Sequence, residues 1–124
     1  MNKVDLLYKD LSYEIQGAAM NVRKNFGSGL KENIYQKALE EELNERSINF
    51  EREKDIKIYS PKTNKVIGHY RPDLLVEDKI IVEIKAVDLI PKNFMDQVYS
   101  YLRNSKYELA YFINFPAHDL STIR

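Results

Sequence analysis

The sequence contains no cysteine and only two histidines, His69 and His118, among its 124 residues. Without thiols the chain cannot form a disulfide framework, a cysteine nucleophile, an iron–sulfur cluster or a thiolate zinc site. Two histidines also argue against a histidine-rich zinc site. Acidic side chains are therefore the groups left to support metal-dependent chemistry.

A strong charge imbalance and long apolar runs are missing as well. Lys and Arg total 19, as do Asp and Glu, so the chain lacks the overall basic charge typical of nucleic-acid-binding proteins. No run approaches the roughly 18 apolar residues of a membrane span. The charged amino terminus, MNKVDLLYKDLSYEIQ, lacks the apolar segment of a secretory signal. We therefore expect one domain over residues 1–124, located in the cytoplasm and not bound to a membrane.

Residues 71–87, RPDLLVEDKIIVEIKAV, predict a β-hairpin with charged residues at its open end. Because side chains alternate along a strand, Glu83 and Lys85 share one face of the second strand, and Asp73 can lie opposite Glu83. Two buried carboxylates repel each other unless a cation lies between them, and all-oxygen ligation suits Mg²⁺. A salt-bridged Glu-x-Lys pair on a solvated strand is the alternative interpretation.

Apolar periodicity predicts three helices, at residues 5–25, 31–46 and 92–104, and two strands outside the hairpin, at residues 50–59 and 109–115. A further strand is expected to run from Val66 into the hairpin. The segment LAYFINF at 109–115 is almost wholly apolar, which places it in the centre of the sheet. The order α-α-β-β-β-α-β predicts an α/β fold in which helices flank a mixed central β-sheet.

Two separated patterns resemble known nuclease signatures. Pro72-Asp73, followed after nine residues by Glu83-Ile84-Lys85, resembles the PD-(D/E)xK nuclease superfamily. Residues 29–35, GLKENIY, resemble the Gly-x-x-Glu-x-x-Tyr signature of a small bacterial family within that superfamily, the GxxExxY family. Further matches follow in the same order, at residues 70–76, 82–87 and 97–101. The resemblance implies a restriction-endonuclease-like core and hydrolysis of phosphodiester bonds in DNA or RNA.

The resemblance also implies Mg²⁺ or Mn²⁺ as the cofactor. Its expected ligands are the carboxylates of Asp73, Glu83 and Glu32 and the backbone carbonyl of Ile84. Lys85 would orient the attacking water or stabilise developing charge. Glu32 lies three residues before Tyr35, which predicts that it shares the buried face of its helix. Glu32 has a second interpretation, because a glutamate in the first turn of a helix interacts favourably with the helix macrodipole.

Three other residues are candidates for substrate contact. By resemblance, Gln97 would orient the substrate phosphate or hydrogen-bond the site carboxylates, with Tyr101 in support. Simple packing of their helix is the alternative for both residues. Arg71 shares the face of Asp73 by period-two counting, and it either pairs with a carboxylate or contacts a phosphate.

Three classes of function remain open from the sequence. The first is a Mg²⁺-dependent nuclease acting on nucleic acid, with DNA the first expectation, and small nucleases of this superfamily are often homodimers. The second is a nucleic-acid-binding module with a vestigial site, in which magnesium changes binding without producing cleavage. The third is a dimeric interaction subunit, because exposed strand edges and a neutral net charge suit self-association.

Overall fold

The central element of the fold is a four-stranded mixed sheet, seen in a computed structural model that describes residues 8–116. The helices and strands follow each other as α1 (Lys9–Phe26), α2 (Glu32–Glu45), β1 (Phe50–Arg52), β2 (Ile56–Tyr59), β3 (Val66–Tyr70), β4 (Leu74–Val76), β5 (Ile80–Lys85), α3 (Lys92–Arg103) and β6 (Leu109–Asn114). The sheet order is β1-β4-β5-β6, in which β5 and β6 are parallel and the other neighbours antiparallel. Strand β6 lies beside β5 but at the edge of the sheet in residues 8–116, so the prediction that residues 109–115 lie in the sheet centre is wrong. Helices lie on both faces, so the predicted fold class is confirmed.

Strand β5 lies inside the sheet and is buried on both faces, as its apolar sequence predicts. Ile80, Val82 and Ile84 pack with α1 and α2. Ile81 points to the opposite face and packs with α3. Each such side chain contributes about 1.5–3 kcal/mol on burial. The alternation leaves the face beneath α3 for Glu83 and Lys85, as predicted.

The link between α1 and α2 is held by one phenol group. Gly27 follows α1 with a positive φ of 69°, and its N–H donates to the Arg23 carbonyl. The Tyr35 hydroxyl donates to the Gly27 carbonyl at 2.7 Å and accepts the Leu30 N–H at 3.1 Å. The Tyr35 ring, fully buried, stacks on Phe115 with centroids 4.3 Å apart. This residue therefore fixes the loop that leads into α2.

The opposite face of the sheet is covered by α3 and by a second, two-stranded sheet. Strands β2 and β3 pair antiparallel with each other and not with the central strands. The second apolar cluster joins α3, this small sheet and the central sheet through Ile56, Tyr70, Leu75, Ile81, Val98 and Tyr107. We call residues 54–71 the β2–β3 hairpin.

Five strands separate α2 from α3, where the sequence predicted three. The predicted strand at 50–59 divides into β1 and β2, and the strand predicted to run on from Val66 divides into β3 and β4. The second break falls at Pro72, which has no N–H to donate to a ladder. As a result β4 pairs with β1 in the central sheet, while β3 stays with β2.

The helix boundaries agree with the sequence predictions to within a few residues where the structure describes them. The predicted start of the first helix at residues 5–7 and the predicted peripheral tail from 117 onward lie outside the described residues. Among residues 8–116, no helix has the length and apolar character needed to cross a membrane.

Candidate active site

Asp73 and Glu83 face each other across the open end of the β4–β5 hairpin. The register pairs Leu74 with Val82, so the next residues outward are Asp73 and Glu83. The Asp73 N–H donates to Glu83 Oε1 at 2.8 Å, and the Ile84 N–H donates to Asp73 Oδ2 at 2.7 Å. Each carboxylate is therefore held by the backbone of the opposite strand. The proximity predicted from side-chain alternation is confirmed.

The hairpin reaches this geometry through a tight turn between its strands. Glu77 and Asp78 both have positive φ, 52° and 53°, and the Lys79 N–H donates to the Val76 carbonyl at 2.9 Å. Positive φ at both central residues is the mark of a type I′ turn, whose twist suits antiparallel strands. The turn thereby fixes the register that places Asp73 opposite Glu83.

Burial makes both carboxylates hard to ionise. It is the largest cause that raises the pKa of Glu83, and the neighbouring charge of Asp73 raises that pKa further. Burial likewise raises the pKa of Asp73, although the hydrogen bond from Ile84 acts in the opposite direction. The pair therefore holds negative charge at an energetic cost, which a cation between the two groups would relieve.

Lys85 supplies positive charge next to this pair. It lies on the same face of β5 as Glu83, and its charge lowers the pKa of both Asp73 and Glu83. Its ammonium group lies 4.2 Å from the centroid of the Phe94 ring in α3, a cation–π contact worth about 0.5–2 kcal/mol. The aromatic ring therefore holds the amine beside the acidic groups, and no carboxylate of the described residues forms a salt bridge with it.

Tyr70 is a site residue for which the sequence predicted no role. Its hydroxyl donates to Glu83 Oε2 at 2.9 Å, and its ring stacks on Tyr101 of α3 with centroids 4.3 Å apart and planes 9° apart. Burial and the Glu83 charge raise the pKa of Tyr70 well above its usual range, so the phenol remains a donor. The feature that could have indicated a role for Tyr70 was its position at the end of β3, three residues before Asp73.

Gln97 and Tyr101 contact each other on α3, one helical turn apart as predicted. Gln97 Nε2 lies 3.5 Å from the Tyr101 hydroxyl, at the limit of a hydrogen bond. Among the described residues, neither side chain hydrogen-bonds Asp73 or Glu83. Tyr101 therefore reaches the carboxylates through the ring of Tyr70, and the exposed amide of Gln97 faces outward.

Glu32 and Arg71 lie at the margin of the site. Glu32 is the first residue of α2 and is exposed, although helical periodicity placed it on the buried stripe. Its charge raises the pKa of Asp73, so it acts electrostatically on the site. Arg71 is exposed and lies 3.9 Å from Asp55 of the β2–β3 hairpin.

The donor atoms suit a hard divalent cation. Asp73 and Glu83 bring two carboxylates together, and within the described residues Asp73 Oδ1 accepts no hydrogen bond. Mg²⁺ commonly uses one or two carboxylates and keeps several water ligands. Across residues 8–116, no three His, Cys, Asp or Glu side chains are grouped closely enough to form a complete metal site. The remaining ligands of such an ion would have to be water, backbone or substrate oxygens.

The mixed sheet, its flanking helices and its acidic hairpin define a restriction-endonuclease-like α/β protein. The chain belongs to the PD-(D/E)XK nuclease superfamily, whose sequence model matches residues 9–124. At the significance required, neither the curated proteins nor the solved structures gave a match. Membership implies a nucleic-acid substrate, and nucleases of this superfamily typically use divalent metals.

Proposed function

We propose that the protein is a metal-dependent nuclease that hydrolyses phosphodiester bonds in DNA or RNA. The observation that carries the proposal is the cross-strand pair of Asp73 and Glu83, held by reciprocal backbone hydrogen bonds beside Lys85. Membership of the superfamily supports both a nucleic-acid substrate and a divalent metal.

Asp73 and Glu83 would hold Mg²⁺ or Mn²⁺, together with the Ile84 carbonyl, and Glu32 would contribute directly or through water. When bound, the cation lowers the pKa of a coordinated water and stabilises negative charge on phosphoryl oxygens. The backbone hydrogen bonds at Asp73 and Ile84 fix the carboxylate oxygens before the cation arrives. Such preorganisation reduces the reorganisation that the reaction would otherwise require.

Lys85 and Tyr70 act on the charge of the site in different ways. The ammonium group of Lys85 would orient the attacking water or stabilise charge that develops on the phosphoryl oxygens. Tyr70 has no contact with a substrate in this scheme. Its hydroxyl orients Glu83 and lowers the pKa of that carboxyl. Tyr70 is therefore a positioning residue.

Substrate contacts are proposed for Gln97, Tyr101 and Arg71. The proposal for Gln97 is supported by its exposure and by a shallow cleft of about 540 Å³ in which it lies with Phe94, the ring that holds Lys85. The exposed guanidinium of Arg71 keeps donors available, because one long contact to Asp55 uses few of its five N–H groups.

A nucleic-acid-binding module with a vestigial site is the second candidate. It is favoured by the lack of a third acidic or histidine side chain grouped with Asp73 and Glu83 in the described residues. Such a protein would bind nucleic acid differently in the presence of magnesium and would leave the strands intact.

A cleavage assay separates the two candidates. Purified protein is incubated with linear, circular, branched and single-stranded nucleic acids in Mg²⁺ or Mn²⁺, alongside Asp73→Ala and Lys85→Ala. Asp10→Ala and Lys37→Ala serve as matched controls because both side chains are exposed on helices. Cutting by the wild type and controls but not by the site variants supports the nuclease. Equal cutting by all proteins points to contamination, and magnesium-dependent binding without any cutting supports the second candidate.

Several finer assignments are proposals of the same kind. Membership of the GxxExxY family is supported by the positions of Glu32, which begins α2, and Tyr35, whose hydroxyl holds the preceding loop. We also propose DNA as the preferred substrate, a cytoplasmic location and a homodimer. Sedimentation of the purified protein tests the dimer, and competition between DNA and RNA duplexes tests the preference.

A further inference from the structure

The β2–β3 hairpin carries a large share of the positive charge of a neutral chain. Residues 54–71 contain four lysines and Arg71 but only one acidic residue, Asp55. With 19 basic and 19 acidic residues in the whole chain, the hairpin has a formal charge of +4 and the remainder −4. A neutral protein can attract a polyanion only where its positive charge is concentrated in this way.

Three of these lysines are exposed and form no salt bridge in the described part of the chain, although the charge of Lys57 acts on Asp55. Lys57, Lys62 and Lys65 form no salt bridge with residues 8–116. The other basic groups of the hairpin are partly neutralised, because Lys54 pairs with Glu51 and Arg71 lies near Asp55. The unpaired charge is therefore concentrated on β2 and at the turn that joins β2 to β3.

The turn that bears Lys62 and Lys65 is held by its own hydrogen bonds. The Ser60 N–H donates to the Lys65 carbonyl at 2.8 Å, and the Ser60 hydroxyl oxygen accepts the Lys62 N–H at 3.2 Å. The Asn64 N–H donates to the Ser60 carbonyl at 2.8 Å. A backbone fixed in this way has little conformational entropy of its own to lose on binding, so the entropic cost is confined to the two lysine side chains.

The hairpin also leads directly into the candidate active site. Lys57 pairs in the ladder with His69, four residues before Asp73, and Lys65 lies eight residues before Asp73. At roughly 3.3 Å per residue of extended chain, His69 and Lys65 lie at most about 13 and 26 Å from Asp73, respectively. Because a DNA duplex rises about 3.4 Å per base pair, this span corresponds to roughly four to eight base pairs.

We infer that Lys57, Lys62 and Lys65 bind the phosphate backbone of nucleic acid to one side of the bond that is cut. The inference rests on the proposed function, because it takes nucleic acid as the substrate. It assigns non-specific affinity to the β2–β3 hairpin and leaves the chemistry to Asp73 and Glu83. Phosphate contacts of this kind position a duplex without reading its sequence.

The experiment measures binding to a fluorescein-labelled 30-base-pair DNA duplex by anisotropy, in EDTA, over a series of salt concentrations. The test variant replaces Lys57, Lys62 and Lys65 together with Gln. A control variant replaces the exposed helix residues Lys9, Lys24 and Lys37 with Gln, which removes the same total charge. The salt slope is the slope of the logarithm of the binding constant against the logarithm of the salt concentration. Its magnitude should fall by about 0.9 for each lost phosphate contact, hence by about 2.7 in the test variant. The control and a triple Lys→Arg variant of the hairpin should keep the wild-type slope.

Equal slopes in the test and control variants would overturn the inference, because the affinity would then follow total charge. Ile67 is an exposed apolar residue of β3, so an interface between copies through the hairpin would include it. The inference would also be overturned if the test variant kept the wild-type slope while Ile67→Lys converted a dimer to a monomer in sedimentation. Cleavage by the wild type in Mg²⁺ is measured separately. If the test variant has the smaller salt slope but the wild type cuts no substrate, only the nuclease proposal is refuted. If the wild type cuts and the test variant keeps the wild-type salt slope, only this inference is refuted.

Discussion

Replacing Tyr70 with Phe should weaken metal binding and catalysis while preserving the fold. The substitution removes one oxygen atom, the donor of the 2.9 Å hydrogen bond to Glu83 Oε2. The ring can keep its stacked contact with Tyr101 and its place in the second apolar cluster. The change therefore isolates the hydrogen bond from the packing.

The size of the effect follows from the acceptor, a buried carboxylate that is 5% exposed. Hydrogen bonds to charged groups contribute about 1.5–3 kcal/mol. Loss of a partner that orients a metal ligand typically costs about 10–100-fold in metal affinity or activity, which corresponds to about 1.4–2.7 kcal/mol. Because the Tyr70 hydrogen bond lowers the pKa of Glu83, its removal raises that pKa further. The acidic limb of the activity profile should then move to higher pH.

The assay combines Mn²⁺ titration by calorimetry with cleavage rates over a range of pH. Tyr107→Phe is the matched control, because the Tyr107 hydroxyl donates to Asp78 at 2.6 Å, away from Asp73 and Glu83. Both variants lose a tyrosine-to-carboxylate hydrogen bond, and both should unfold at a lower temperature. Only Tyr70→Phe should change metal affinity and the pH profile. Wild-type metal affinity together with an unmoved acidic limb in Tyr70→Phe would refute the positioning role.

Three further predictions concern other parts of the structure. In chelator, Glu83→Gln should be more stable than the wild type at neutral pH. Burial raises the pKa of Glu83 in the folded protein, so the wild type loses stability as pH rises from about 4.3, the ordinary pKa of Glu, through the folded pKa. Melting temperatures of both proteins are measured over this pH range. A wild type that melts at a higher temperature than Glu83→Gln at neutral pH would contradict the reasoning. Lys85→Met should keep the packing on Phe94 but lower the cleavage rate by about 10²–10³, and unchanged rates would contradict its electrostatic role. Tyr35→Phe should cost about 1–2 kcal/mol in urea unfolding, because Leu30 and Gly27 lose their shared partner, whereas an unchanged midpoint would show that water replaces the phenol.

The acidic hairpin could be predicted from sequence because its information is local. Alternation alone places Glu83 and Lys85 on one face, and the short turn leaves one register that brings Asp73 opposite Glu83. The central position of β5 followed from its run of apolar residues. The same local signals gave the three helices, although the three-residue spacing between Glu32 and Tyr35 placed Glu32 on the buried face of α2. The structure shows it exposed, since it is the first residue of its helix.

The separation of the β2–β3 hairpin from the central sheet could not be predicted in the same way. A continuous strand pattern on each side of Pro72 is compatible with one long hairpin or with two short ones. The choice depends on tertiary packing, in which Tyr70 and Ile56 join the cluster beneath α3. The role of Tyr70 depends on the same choice, because its hydroxyl reaches Glu83 only when β3 lies over that face.

The stacking of Tyr35 on Phe115 bears on how the chain acquires its fold during synthesis. Arg23 also donates to the Asn114 carbonyl at 2.8 Å, so α1 and α2 contact the end of β6 and the residue that follows it. Strand β6 further supplies the parallel partner of β5. A nascent chain that ends before β6 would therefore expose one edge of β5 and leave one face of the Tyr35 ring uncovered. Contacts between such distant segments slow folding, so the sheet that carries the acidic pair would be completed only after residues 109–115 had left the ribosome.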